Sequence, residues 1–306
     1  MRIFESKQTE AAKNAGLEEW LYRAVPVAGE SFLVYRNGPS VLIGRHQNPW
    51  RECAVPWCAE HGVAVVRRLS GGGAVYHDLG NLNMALMLRK ERFAPKLLAD
   101  LVMEWLRSRG VPAEIDGRSS VLVAGRKIFG SAFVVNSRSA LMHGCLLVKA
   151  ELERLRAALT PCGGGWSFQC DDVESVRKPV ANLEEYLPGV EMDALKRSLV
   201  DAVAHRWGDG TGAEAPWQDV MPTEVAAAEE FACKFRSMEW TFERTASFAL
   251  LRKEAGWEKR LDVCGGIVVS AQERTARECR EMAGFSGKSL RGLDRELFSC
   301  YLYGNS

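Results

Sequence analysis

Arg67-Arg68-Leu69-Ser70-Gly71-Gly72-Gly73-Ala74-Val75-Tyr76-His77-Asp78-Leu79-Gly80-Asn81 follows directly on the β-branched run Val63-Ala64-Val65-Val66. The run reads as a buried strand, so the paired arginines and three glycines begin where that strand ends. Three adjacent glycines cost chain entropy and are tolerated where the backbone takes unusual dihedrals or lets a ligand come close. Two guanidiniums, a hydroxyl and several free amides in one small volume suit a phosphate or a carboxylate. The stretch is neither the Gly-x-x-x-x-Gly-Lys-Ser/Thr phosphate loop nor the Gly-x-Gly-x-x-Gly fingerprint, so neither standard nucleotide fold is indicated.

Upstream, Ala11, Ala12, Ala15, Leu17, Trp20 and Leu21 fall at helical spacing within residues 8–24, with Glu18 and Glu19 turned elsewhere. Residues 31–36 and 40–44 read as two strands joined across Asn37-Gly38-Pro39, a hairpin signal. Arg45-His46-Gln47-Asn48-Pro49-Trp50 is either a ligand-facing loop or a surface turn plugged by Trp50. A short helix is expected over 53–61.

Downstream, 82–88 reads as an apolar strand and 97–109 as a helix stopped by Gly110. Strands 120–123 and 127–129 flank the tight turn Ala124-Gly125-Arg126, which sets Lys127 at a strand start. A further pair, 130–135 and 141–149, carries His143 in its second strand, and helices follow at 151–159, 192–207 and 223–236. A polar loop runs between the first of these helices and Asn182. From Ser247 the pattern changes to a three-stranded meander with a helix at 272–282. We expect a large domain over 1–245 and a small one over 246–306. Hairpins outnumber crossovers, which disfavours a purely parallel sheet.

The chain of 306 residues is 47% hydrophobic and 26% charged with a formal net charge of +1, so no global field attracts nucleic acid or an anionic membrane. The N-terminus lacks the apolar core of a signal peptide and no apolar run reaches spanning length, so a cytoplasmic protein is expected. Nine scattered cysteines, none in a Cys-x-x-Cys pair, read as reduced small residues without metal-ligand spacing.

The run Arg67 to Asn83 closely resembles the lipoate-protein ligase A family, within the biotin/lipoate protein ligase superfamily. So do Leu17-Glu18-Glu19, Gly44 to Trp50, Asp116-Gly117-Arg118, Gly125 to Ala132, His143-Gly144, Ser175 to Leu183 and Ser237-Met238-Glu239-Trp240. The resemblance implies an α+β fold: a mixed, largely antiparallel catalytic sheet of the biotin protein ligase and class II aminoacyl-tRNA synthetase type, with a small α+β accessory domain. It also implies a reaction. Lipoate would attack the α-phosphate of ATP, with Mg2+, to give lipoyl-AMP, and a lysine of an acceptor lipoyl domain, of 2-oxoacid dehydrogenase E2 or glycine cleavage H type, would take the lipoyl group.

Residue by residue, the resemblance assigns nucleotide contacts to Arg68, Gly73, Ala74, Val75, Tyr76 and Lys127. It assigns lipoate contacts to Arg68, Ser70, Gly71, Gly72, Lys127 and His143, with Lys127 as the catalytic residue, and no protein side chain to a metal. The dithiolane tail asks only for an apolar slot. Attack of a carboxylate on a triphosphate needs fixed cations more than bases, so His77 and Asp78 read as structural rather than as an acid/base pair. His143 reads equally as a pocket residue and as a hydrogen-bonded core histidine.

Departures from the family pattern are Ser119-Ser120 for Asn-Asp, Met142 for a histidine and Met238 for a tryptophan. Two rival readings remain. Cys162, in Pro161-Cys162-Gly163, resembles the thiol of the octanoyltransferase branch, which would move octanoyl or lipoyl groups without ATP, using Lys127 to lower the thiol pKa. The other rival is a lipoyl or adenylate binder without catalysis.

Overall fold

The computed structural model describes residues 1–117, 119–161, 165–207, 217–219, 222–275, 278–290 and 293. Arg118, Cys162 and the expected turn at 208–212 lie outside them. The helices are α1 (Ala11–Ala28), α2 (Pro49–Glu52), α3 (Val55–Glu60), α4 (Leu97–Arg107), α5 (Leu152–Ala158), α6 (Met192–Trp207) and α7 (Pro222–Arg236).

A mixed sheet of eight strands carries the core: β1 (Arg2–Ser6), β2 (Ser31–Tyr35), β6 (Asn81–Arg89), β7 (Glu114–Ile115), β8 (Ser120–Val123), β9 (Arg126–Val135), β10 (Ser139–Leu147) and β12 (Trp217–Asp219). Their spatial order is β12-β1-β2-β6-β10-β9-β8-β7, parallel across the first three and antiparallel from β2 onward. Strand β6 is buried on both faces, which is why it reads as an almost unbroken apolar run. Leu82, Met84, Leu86 and Leu88 meet Leu98, Leu101, Val102 and Trp105 of α4 and Leu199 of α6, while Ala85 and Met87 face Leu17, Leu21 and Val25 of α1.

A second sheet, in the order β4-β3-β5, is built from β3 (Ser40–Ile43), β4 (Ala64–Arg67) and β5 (Val75–His77). A third, in the order β11-β13-β14-β15-β16, joins β11 (Ser167–Gln169) to β13 (Phe248–Glu254), β14 (Trp257–Cys264), β15 (Ile267–Thr275) and β16 (Cys279–Glu281). Four of its strands thus come from beyond residue 245, and the fifth from the stretch expected to be a polar loop.

Three local expectations differ. The hairpin over 31–44 does not form, because β2 has both edges filled by β1 and β6 while β3 crosses to the small sheet. Asn37-Gly38-Pro39 is a bridge between the two: Gly38 N donates to Thr9 O at 2.7 Å, and the Asn37 side chain meets Asn14 at 2.8 Å and His77 at 3.0 Å. Residues 127–129 and 130–135 merge into the single ten-residue β9. The helix expected over 272–282 is instead the end of β15 and β16, since the ladder on β14 continues to Thr275 and Glu273 pairs across strands with Arg280. Tertiary pairing has overridden a short helical pattern.

Helix α1 lies against α7 at Gly16. A methyl group there would stand 2.6 Å from Ala232 N and 2.9 Å from Ala228 O, backbone atoms that cannot yield without moving the helix. Gly16→Ala should therefore destabilise the fold by about 1–3 kcal/mol, read as a lower urea midpoint at unchanged m value.

Candidate functional site

The glycine loop is wrapped around one side chain. Arg68 is buried, and its guanidinium donates to Leu42 O at 2.8 Å, Gly71 O and Gly73 O at 2.7 Å and Ser70 Oγ at 3.0 Å. Gly72, at φ +86°, makes the bend that turns those carbonyls inward, and Gly73 leaves room for Ser175, whose Oγ would be 2.9 Å from an added Cβ.

The two arginines do not share a ligand. Arg67 points the other way, donating to Gln47 O at 2.6 Å, Arg45 O at 3.0 Å, Thr241 O at 2.7 Å, Trp240 O at 3.0 Å and Thr245 Oγ1 at 2.9 Å. This corrects the expectation of paired guanidiniums around an anion. Burial lowers both pKa values to about 10, which still leaves two cations at neutral pH.

Behind the loop runs a buried relay. Ser70 Oγ lies 2.6 Å from His143 Nε2, His143 Nδ1 lies 2.8 Å from Glu18 Oε2, and Tyr35 OH donates to Glu18 Oε1 at 2.7 Å. The order Ser-His-Glu is that of a nucleophile triad, but Ser70 is fully buried and its oxygen is held by Arg68, so no acyl carbonyl can reach it. Glu18 and Glu19 were expected on a polar face. They are instead 4% and 1% exposed, Glu19 being paired with Arg23 and Lys234. The Glu19 to Arg23 spacing of four was the available signal.

Lys127 sits between two cavities. Ala124 at φ +49° and Gly125 at φ +73° form the tight turn before it, and its backbone is clamped by Lys127 N to Pro179 O at 2.8 Å and Ala181 N to Lys127 O at 3.0 Å. Its side chain lies over Gly130, where a Cβ would be 2.5 Å from Nζ. Burial lowers its pKa from the ordinary lysine value, against the opposing pull of the Asp116 carboxylate. Cys145 is itself a neutral thiol, pushed up to about 12 by burial, and it accepts from Asn81 Nδ2 at 3.1 Å.

The first cavity, about 310 Å³, is lined by Tyr35, Arg68, Gly72, Gly73, His77, Ser120 and His143 among others. The second, about 570 Å³, is lined by Tyr76, Arg126, Arg156, Arg177 and Pro179 among others. Ala74, Val75, Lys127, Gly130, Cys145, Ser175, Val176 and Lys178 line both. Of the expected contacts, Ser70 and Gly71 line neither and shape the loop from behind. Tyr76 presents only to the second cavity and is 1% exposed.

Two residues of the quoted motifs that were given no role hold the shared wall. Ser175 Oγ accepts from Ala74 N at 2.8 Å and Gln47 Nε2 at 3.0 Å and donates to the buried Glu52, tying the glycine loop to the segment around 175. Asp116 accepts from Ser120 N at 2.9 Å and pairs with Lys178, and Ser119 takes φ +61°. Trp50 is a plug, 3% exposed against Phe242 and Phe248, with Asn48 capping α2. Met238 is partly exposed, and it is Trp240 that closes on Arg67 O at 2.7 Å.

Residues 10–204 match the family model of the lipoyl protein ligase A/B catalytic domain. The chain belongs to that family. In fold it is similar to P. falciparum LipL1, solved in complex with lipoate, at 21% identity and TM-score 0.70, over 89% of this chain and 84% of the other. The bi-partite lipoate protein ligase of Thermoplasma acidophilum, described with its E2 lipoyl domain, gives 22%, 0.63, 78% and 95%, and a lipoate-protein ligase A bound with ATP gives 22%, 0.62, 78% and 97%.

In this member His77 and Asp78 are framework. Asp78 accepts from Gly80 N at 2.8 Å and Glu151 N at 2.9 Å, and His77 Nδ1 is held by Asn37. Burial, with Arg68 and His143 nearby, holds the His77 pKa down to about 3, against 6.5 for a free histidine. The unfolded chain therefore binds more protons between these values, and stability is lost as pH falls from about 6.5 toward 3, with no effect above. His77→Gln should flatten that loss by up to about 1.4 kcal/mol per pH unit, measured by urea unfolding at several pH values from 7 down to 4. An unchanged slope would contradict a neutral buried imidazole.

Proposed function

We propose that the protein is an ATP-dependent lipoate-protein ligase. The observation that carries this reading is Lys127, which lines a cavity walled by the glycine loop and, at the same time, a neighbouring cavity rimmed by Arg156 and Arg177. A carboxylate and a triphosphate repel one another, and a fixed cation between their two sites lowers the cost of bringing them together. In the first step a lipoate carboxylate oxygen bonds to the α-phosphorus and pyrophosphate leaves. In the second, the neutral amine of an acceptor lysine bonds to the acyl carbon, the bond to the AMP oxygen breaks, AMP leaves, and the nitrogen gives up one proton to solvent as the amide forms. Lys127 would neutralise the phosphate and polarise the carbonyl oxygen in turn. The backbone of 73–75 stands on the same wall, and Arg68 adds a positive charge beneath it.

The lipoyl acceptor would be a lipoyl domain of E2 or H type, as the resemblance implies. Among the described residues no group of three His, Cys, Asp or Glu side chains is arranged to hold a metal ion, and Asp116 is already paired with Lys178. Mg2+ arriving with ATP would be held chiefly by phosphate oxygens and water, and no step here depends on a protein-held ion. The neutral Cys145 thiol beside Lys127 is not the nucleophile of a thioester route.

The test is an apo lipoyl domain offered lipoate with ATP, octanoyl carrier protein without ATP, or neither. Modification that needs ATP and survives Cys162→Ser is expected. Modification from the carrier protein that is lost in Cys162→Ser would replace this reading with the transferase, and no modification in any arm would leave a binder. Lys127→Ala should lower lipoate-dependent pyrophosphate release on the order of 10²–10³-fold with an unchanged far-ultraviolet dichroism spectrum; near-normal release would remove Lys127 from the chemistry.

A further inference from the structure

In the amide-forming step negative charge gathers in two places at once, on the acyl carbonyl oxygen as the acceptor amine adds and on the phosphate oxygen as AMP departs. One ammonium cannot cover both. Lys127 serves the phosphate and the carbonyl in turn, so the chemistry calls for a second fixed cation where the two cavities meet. Arg68 lines only the first cavity and has its donors occupied by carbonyls and Ser70, while Arg126, Arg156 and Arg177 line only the second. Among the described residues the cations that line both are Lys127 and Lys178. The resemblance assigns Lys178 no role.

Lys178 is fixed at both ends. Pro179 biases the backbone of the residue before it toward extended dihedrals. Pro179 O also accepts from Lys127 N at 2.8 Å, and Val180 bridges Lys127 in parallel, so the two lysines rise from segments tied to one another. At the tip of the side chain Nζ donates to Asp116 Oδ2, and Asp116 Oδ1 accepts from Ser120 N at 2.9 Å. An ammonium has three donors. Among the described residues one goes to Asp116, and the other two are available to a ligand on the cavity side of this half-buried chain. Anchoring one donor removes rotamer freedom that a loose lysine would lose on meeting phosphate, so the charge is held ready. Burial lowers the Lys127 pKa first, and the like charge of Lys178 adds to that lowering. A bound phosphate would relieve the repulsion between the two ammonium groups.

We infer that Lys178 is a second catalytic residue, which holds the α-phosphate through both steps and stabilises it as AMP departs, so that Lys127 can turn to the acyl carbonyl oxygen. Lys178 keeps its proton throughout, and the bonds made and broken are those of the ligase reaction. The inference rests on that reading and on Lys127 standing at the junction.

The experiment takes the full chain, Lys178→Met, Lys178→Arg and Asp116→Asn through two half-reactions: lipoate-dependent pyrophosphate release from ATP, and transfer from presynthesised lipoyl-AMP to an apo E2 lipoyl domain, read as the mass of the domain. Lys178→Met should slow both on the order of 10–100-fold, and Lys178→Arg, which keeps the charge, should recover most of the rate. Asp116→Asn breaks the ion pair but leaves the ammonium, and should stay within about fivefold of the unaltered protein. If the pair serves only to tie the loop at 116–120 to the segment at 175–180, Asp116→Asn and Lys178→Met fall together, and that result overturns the inference. Transfer from lipoyl-AMP at an unaltered rate in Lys178→Met overturns it as well. If Lys178→Met fails to fold, Lys178→Gln carries the same comparison. Transfer from lipoyl-AMP without any pyrophosphate release from ATP overturns the ATP-dependent reading alone, leaving the transfer rates to decide the role of Lys178, and failure of both half-reactions in the unaltered protein overturns both.

Discussion

A guanidinium without a carboxylate beside it shapes the part of this protein on which the rest depends. Among the described residues Arg68 has no ion-pair partner in contact. It is held by three carbonyl oxygens and a hydroxyl, and the negative charge that offsets it, Glu18, is reached only through Ser70 and His143. Such a cation is tolerable in a low-dielectric setting because its donors are aimed at fixed acceptors. The consequence is structural before it is chemical. The glycine loop, with no ladder of its own, takes its form from Arg68, and the relay through His143 and Glu18 locks that form to β10 and α1.

Adjacent residues with identical side chains are thereby committed to different parts of the molecule. Arg68 secures the loop to β3 of the small sheet, while Arg67 collects the carbonyls of 45–47 and of 240–241 into one knot. The first cavity opens between the two sheets, lined by Leu42, Val75 and His77 of the small one and by Tyr35, Lys127 and Cys145 of the large one. The second cavity is bounded by the segment 175–180, whose hold on the Lys127 backbone through Pro179 and Ala181 sets where the ammonium emerges.

Much of this was legible in residue order. The amphipathic helix over Leu97–Arg107, the tight turn at Ala124-Gly125 and the meander of β13, β14 and β15 carry their signals locally, in hydrophobic period and turn chemistry. What was not legible depends on partners distant in sequence. Asn37-Gly38 is good hairpin chemistry, and only the two occupied edges of β2 forbid the hairpin. Arg67 and Arg68 are indistinguishable until Thr241 and Leu42 are brought to them. Glu18 and Glu19 look solvated until Tyr35, His143 and Lys234 close over them.

The three-residue strand β11 has a mechanical consequence. It is paired with β13, yet Ser175, Val176 and Lys178, a few residues further along, form a wall common to both cavities, and Arg51 grips the connection through Cys170 Sγ, Asp172 O and Glu174. The chain between is too short to slacken, at most about 3.5 Å per residue. It therefore acts as a tether: any displacement of the five-stranded sheet is transmitted as a pull on the cavity wall. The rim of the site and the C-terminal sheet form one linkage, and shifting either changes the width of the opening.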